Sequence, residues 1–200
     1  MEGKAVLLVV DVQIDFCPGG TLGVPGGDLI IPVINRYIRF FRQRGVPVIA
    51  SRDWHPPVTS HFRGYGGIWP PHCIRESEGA RFHPELRLPP DTMVVSKGTA
   101  PDRDDYSTFQ AATDGGLRLD DHLDAAGIRS IYICGLATDY CVRETALDAL
   151  KGGYAVTILT DAVRGVDLAP GDSKRALDEA ERAGAKLADA GTFERQAGWE

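Results

Sequence analysis

The chain has 200 residues, 43% hydrophobic and 25% charged, and its 28 acidic against 22 basic side chains give a formal charge of −6. This balance suits a single globular domain spanning residues 1–200. With no run of Lys or Arg to neutralise phosphates, it argues against nucleic acid as a partner. Asp11 interrupts the apolar start before a secretory segment or a membrane span is complete, so no membrane partner and a cytoplasmic location are expected.

In chain order, the first strand-length apolar run is "AVLLVVD" (5–11), followed by a helix-period stretch at 27–44 and a second apolar run, "VPVIASRD" (46–53). The runs are apolar throughout, as strands covered on both faces are. An excursion at 53–90 breaks the rhythm; from Pro56 to Pro90 it is rich in Pro, Gly, His and aromatic residues, and its length marks it as functional. Then come "TMVVSK" (92–97), a helical stretch at 117–126, "SIYICG" (130–135), a helix at 139–151, "AVTILTDA" (155–162), a helix at 172–184 and "AKLADA" (185–190) as an edge strand. The alternation predicts an α/β fold: a three-layer, doubly wound, Rossmann-like parallel sheet of about six strands.

Polar residues fall where the apolar runs stop. Asp11 ends the first, Asp53 the second and Lys97 the third, while Cys141 follows the fourth after a short turn. Such positions share the carboxyl edge of a parallel sheet, where ligands bind, and a 3-2-1-4-5 strand order brings Asp11 beside Cys141. Each residue alone has an ordinary reading as a cap, a solvated charge or a core thiol; four strand ends together do not.

In "GLATDYCVRET" (135–145), Thr138 or Asp139 reads as an N-cap, with Val142, Thr145, Ala146, Ala149 and Leu150 as the inward stripe. Cys141 then lies in a first helical turn, where N–H groups favour a thiolate and hold a developing oxyanion. Moving a proton from an ordinary Cys to an ordinary Asp costs about 6 kcal/mol. A desolvated Asp11 and a nearby Lys97 reduce that cost, Lys97 reading either as a participant or as a counter-ion. The other cysteines, Cys17, Cys73 and Cys134, form no CxxC pair with each other or with Cys141, so free thiols are expected. Cys134 reads as a core thiol, and no chemical role is evident for Cys17 or Cys73.

"DWHPPVTSHF" and "WPPHC" supply a second constellation, Asp53, His55, His61 and His72, a nitrogen and oxygen donor set suited to Zn²⁺ or Fe²⁺. His83 lacks that context and reads as surface or packing.

These stretches, with "DVQIDFCPGG" and "KGTAPDRDDYSTF", resemble the nicotinamidase/pyrazinamidase branch of the isochorismatase-like cysteine hydrolase superfamily over nearly the whole chain. The resemblance implies the isochorismatase-like hydrolase fold. It also implies a catalytic triad of Asp11, Lys97 and Cys141, and a cis peptide between Leu136 and Ala137 that sets the N–H groups of Ala137 and Cys141 as an oxyanion hole. Phe16, Trp69 and Tyr106 would enclose a pyridine ring, with Leu136 also contacting substrate. One divalent metal ion, Zn²⁺ first with Fe²⁺ or Mn²⁺ as alternatives, is implied at Asp53, His55 and His72; the residue at the place of His61 varies within the family. The implied activity is hydrolysis of nicotinamide and pyrazinamide-like aromatic amides in NAD salvage, by a homo-oligomer. Competing readings are a carbamoyl-amide hydrolase, which keeps the cysteine without the metal motif, and an isochorismatase, which cleaves a vinyl ether without the cysteine. A third is a non-enzymatic binding module on the same fold.

Overall fold

The computed structural model describes residues 4–193. Six strands form one parallel sheet: β1 (Lys4–Val10), β2 (Val48–Asp53), β3 (Met93–Lys97), β4 (Ile128–Leu136), β5 (Ala155–Arg164) and β6 (Lys186–Ala188). Their order is β3-β2-β1-β4-β5-β6, the expected arrangement with the edge strand added. The direction of winding reverses at β1, which pairs with β2 on one side and β4 on the other.

Alternation along each strand builds two cores. On one face Leu7, Val9 and Ala50 meet α1 (Ile31–Arg42) and Phe193 at the end of α5 (Ala190–Phe193). On the other, Val6, Leu8, Val10, Ile49 and Val95 meet α2 (Leu119–Ala125), α3 (Arg143–Lys151) and α4 (Asp172–Arg182). Each of these Leu, Ile, Val and Phe side chains contributes about 1.5–3 kcal/mol of burial free energy. Buried Ile31, Ile34, Tyr37, Ile38 and Phe41 give α1 its inward stripe, and Pro32 opens it.

Residues 27–30 are not part of this helix as the apolar period suggested: Leu29 N–H bonds to the Gly26 carbonyl and Ile31 N–H to that of Asp28, as turns. The predicted 139–151 helix also divides. Residues Thr138–Val142 form a π-helical turn and α3 starts at Arg143. Neither Thr138 nor Asp139 is a cap; the N-cap of the π-turn is Ala137 and that of α3 is Val142, both without a side-chain bond.

Gly135 decides how closely β4 approaches β1. Its φ is +117°, and a Cβ there would lie 2.0 Å from the Val10 carbonyl oxygen. Only glycine permits the contact, which draws the exits of β1 and β4 together. Among the described residues no helix is long and apolar enough to cross a membrane.

Candidate active site

Asp11 follows β1 directly, in left-handed backbone conformation (φ 48°). Asp53 and Lys97 end β2 and β3 and are register partners. Cys141 lies in the π-turn beyond β4. All four side chains are buried, Asp11 and Lys97 completely.

Lys97 is the hub. Its Nζ lies 2.9 Å from Asp11 Oδ2 and 3.3 Å from Cys141 Sγ, and it donates to Asp53 Oδ1 and to the Asp105 carbonyl. Burial alone would discharge the ammonium, but Asp11, Asp53 and Cys141 hold its pKa well above the ordinary lysine value. Burial likewise raises the Asp11 carboxyl, against the pull of Lys97. The Cys141 thiol is pushed well up by burial, with Lys97 opposing and Asp11 adding. Burial thus opposes the thiolate and Lys97 favours it, beside a carboxylate whose affinity for protons is increased. Cys141 sits in the π-turn that runs directly into α3, ahead of the start of α3 itself.

Replacing Lys97 with methionine is expected to leave two carboxylates buried without their counter-ion, a loss of about 3–5 kcal/mol. Urea denaturation should show a lower midpoint at unchanged slope.

Beside this group, three imidazoles converge. His55 Nδ1–H donates to the Gly98 carbonyl (3.0 Å), His72 Nδ1–H to the Pro70 carbonyl (2.8 Å) and His61 Nδ1–H to the Asp104 carboxylate (2.5 Å). Because every partner is an acceptor, each Nε2 is left as a lone pair. Asp53 Oδ2 lies 3.6 Å from His55 Nε2 and 4.0 Å from His72 Nε2, and ligating atoms of the three histidines lie within 4.8 Å of one another. His55 Nε2 is buried with no hydrogen-bond partner, as a metal-ligating nitrogen would be. Burial lowers the His72 pKa to about 4 and lowers that of His61, keeping both rings neutral. Asp53 is held far below the usual carboxylate range: burial pushes it up, and the Lys97 ammonium is the largest charge opposing burial. The donor set therefore fits a divalent ion. Asp11, Asp53 and Cys141 also cluster, but the Lys97 ammonium already occupies the cationic position among them.

Above these groups lies a narrow cavity lined by Phe16, Leu22, Trp69, Tyr106, Tyr140 and Val166 with Asp53, His61, His72, Asp105, Ala137 and Cys141. Trp69 Nε1–H donates to the Tyr106 hydroxyl (2.9 Å), fixing both rings. Leu136 does not reach this space. It is fully buried in the core on the α1 face, because the chain turns only after it, at the cis Leu136–Ala137 peptide. Cys17 and Cys73 are buried too, with pKa raised to about 11 for Cys17 and well above the ordinary value for Cys73, both chiefly by burial.

Several contributors escaped the sequence reading. Ser51 Oγ–H donates to Asp11 Oδ1 (2.7 Å), and Thr108 donates in turn to Ser51 (3.3 Å). Gln13 holds the Asp53 backbone at both ends, accepting from its N–H and donating to its carbonyl, each at 2.8 Å. Ser51 had a usable signal: a polar residue two before Asp53, hence on the same face of a buried strand.

Comparison with known proteins bears on the family and the fold. The Isochorismatase domain family matches residues 5–192. The chain is 44% identical to a nicotinamidase of Escherichia coli, over 90% of this chain and 92% of that one. A crystal structure of pyrazinamidase from Pyrococcus horikoshii in complex with zinc superposes with a TM-score of 0.86 at 48% identity, covering 93% of this chain and 99% of that one. PnC1 from L. infantum in complex with nicotinate gives 0.85 at 34% identity, covering 96% and 95%. The domain match over residues 5–192, with 44% identity to a relative covered to 92%, makes this chain a member of the isochorismatase-domain family.

Proposed function

We propose that the protein is a cysteine amidohydrolase that converts nicotinamide, and pyrazinamide-like aromatic amides, to the carboxylic acid and ammonia through a thioester on Cys141. The observation that carries this reading is one cavity in which the Cys141 thiol, a neutral imidazole cluster and the faces of Phe16, Trp69 and Tyr106 meet. A flat apolar slot with one nucleophile and one nitrogen-seeking corner suits a planar heteroaromatic carboxamide. The nicotinamidase and pyrazinamidase relatives support it.

In the reaction, Cys141 Sγ attacks the carboxamide carbon as its proton passes to Asp11. Lys97 stays charged and offsets the negative charge as it moves from carboxylate to sulfur and oxygen. The N–H groups of Ala137 and Cys141 are the donors for the tetrahedral oxyanion. Asp11 returns the proton to the departing nitrogen, ammonia leaves and a thioester remains. Water then attacks the thioester while giving a proton to Asp11. The acid departs, and that proton returns to sulfur.

Asp53, His55, His61 and His72 would hold the metal, Zn²⁺ first with Fe²⁺ or Mn²⁺ as alternatives. When bound, the ion supplies an electron-accepting point, directly or through its water, that orients the ring nitrogen. The same resemblance supports a single domain over residues 1–200, a homo-oligomer and a cytoplasmic role in NAD salvage, with small amides as partners and neither nucleic acid nor membrane.

Ammonia release from a panel of nicotinamide, pyrazinamide, benzamide and a carbamoyl amide tests the reading. Nicotinamide and pyrazinamide should exceed benzamide in kcat/KM by about ten- to a hundredfold, because benzamide leaves the polar corner unsatisfied. Chelation should remove about one metal equivalent and shrink that gap more than it lowers the benzamide rate. Faster turnover of the carbamoyl amide would move the protein to another branch of the family, and no ammonia from any amide would leave a binding role.

A further inference from the structure

One wall of the cavity is Val166, which belongs to no helix or strand. It lies between β5 and α4, where a backbone at a cavity mouth is ordinarily mobile. Here it is tied down. Val166 N–H donates to Asp139 Oδ1 (2.9 Å) and Asp167 N–H to Asp139 Oδ2 (2.8 Å), so one carboxylate holds two consecutive amides. Asp139 is buried and sits in the same π-turn as Cys141. The segment is fixed from the far side as well: Asp167, with φ 49°, accepts from Ser173 N–H (2.8 Å) and Ser173 Oγ–H (2.7 Å) at the start of α4. Gly165 makes the close seat possible, since a Cβ there would lie 1.8 Å from Ser173 Oγ and 2.9 Å from Asp139 Oδ1.

The carboxylate that failed as a helix cap thus has another task. It joins the turn carrying the nucleophile to the residue that closes the ring pocket, at a fixed separation. We propose that Asp139 is a positioning residue that, by locking Val166 against the cavity, restricts the site to an unsubstituted monocyclic ring. This rests on the amidohydrolase reading above and adds a specificity determinant to it. Packed apolar walls resist extra atoms, and one added methyl group in such a pocket is worth roughly tenfold or more in kcat/KM.

Asp139→Asn preserves shape but offers one acceptor oxygen and one NH₂ to two N–H donors, so one amide loses its partner. The test compares nicotinamide with 5-methylnicotinamide in the metal-loaded protein, for wild type, Asp139→Asn and Val166→Ala, alongside hydrogen–deuterium exchange of residues 165–168. Wild type is expected to prefer nicotinamide by about tenfold or more. In Asp139→Asn the preference should fall to below about threefold, with KM for nicotinamide rising about fivefold or more and kcat changing less than about threefold. Exchange at 165–168 should accelerate by about tenfold or more while β4 and β5 keep their protection. Val166→Ala should reduce the preference with Asp139 intact, which keeps the proposal testable if Asp139→Asn fails to fold. Equal losses on both amides at unchanged preference, or unchanged exchange at 165–168, would overturn the assignment. A wild-type protein that turns over 5-methylnicotinamide as well as nicotinamide would overturn the selectivity but leave the amidohydrolase reading standing. One that leaves both amides intact overturns that reading and the selectivity together, and exchange alone then decides whether Asp139 holds the wall.

Discussion

Cys141→Ala is expected to reduce amide turnover by at least about 10⁴-fold, because no other group in the cavity can form the acyl intermediate. Cys134→Ala and Cys17→Ala should keep most of the activity. Burial raises the pKa of all four cysteines, so acidity does not single out the nucleophile. Placement does. Only Cys141 lines the cavity and touches Lys97. Cys134 instead donates from within β4 to the Leu8 carbonyl, at 3.7 Å. An electrophilic nicotinamide analogue should leave one adduct, and peptide mapping by mass spectrometry should place it on Cys141. An adduct on another cysteine, with Cys141→Ala still active, would refute the assignment.

Asp11→Asn should lower kcat/KM by about 10²–10⁴-fold, the usual worth of a positioned general base and acid. The thiol would then have no acceptor and the departing nitrogen no donor. In the wild type Asp11 must be ionised to receive the proton, and burial raises its pKa above the ordinary 3.8. Activity should therefore fall on the acid side through a midpoint higher than that of an ordinary aspartate. The same shift means that the folded chain holds this proton more tightly than the unfolded one. The group's contribution to stability is full below pH 3.8 and is lost as pH rises through the raised value. The base thus works at pH values where its burial costs stability. A pH profile of kcat/KM, set beside thermal unfolding of Asp11→Asn over the same range, separates the two effects.

How much of this was legible in the sequence depends on which interactions fix each part. Buried parallel strands need unbroken apolar runs, so Asp11, Asp53 and Lys97 stood out as the places where those runs end, and the strand order placed them together. Phe16, Trp69 and Tyr106 were legible through the family resemblance and do line the cavity. Leu136 was misplaced because a resemblance aligns positions, while the direction of its side chain is set by the turn that follows. The π-turn at Thr138–Val142 left no local trace, since the partners of Asp139 lie 27 and 28 residues downstream. The tautomers of His55 and His72 were equally invisible. Their anchors are the backbone carbonyls of Gly98 and Pro70, and a carbonyl has no side-chain signature; Gly98 itself is required by space, since a Cβ there would lie 2.4 Å from His55 Cε1. His61 differs in relying on the side chain of Asp104, a dependence that sequence reading had no reason to suspect.

The strand order also governs when the site can come into being during synthesis. β1 lies at the centre of the sheet, yet one of its two neighbours is made long after it: the Cys134–Leu8 contact spans 126 residues of sequence. At about 5–20 residues per second, a ribosome needs roughly 6–25 s to deliver that stretch. Through that interval β1 can pair with β2 while its other edge stays open, an apolar ribbon of the kind that joins neighbouring chains. Base and nucleophile stand on opposite sides of that late seam, so a nascent chain has no hydrolytic centre until β4 docks. Slower elongation would lengthen the exposure, and variants that weaken the β1–β4 seam should be lost to aggregation at birth before any loss of activity in the finished protein is measured.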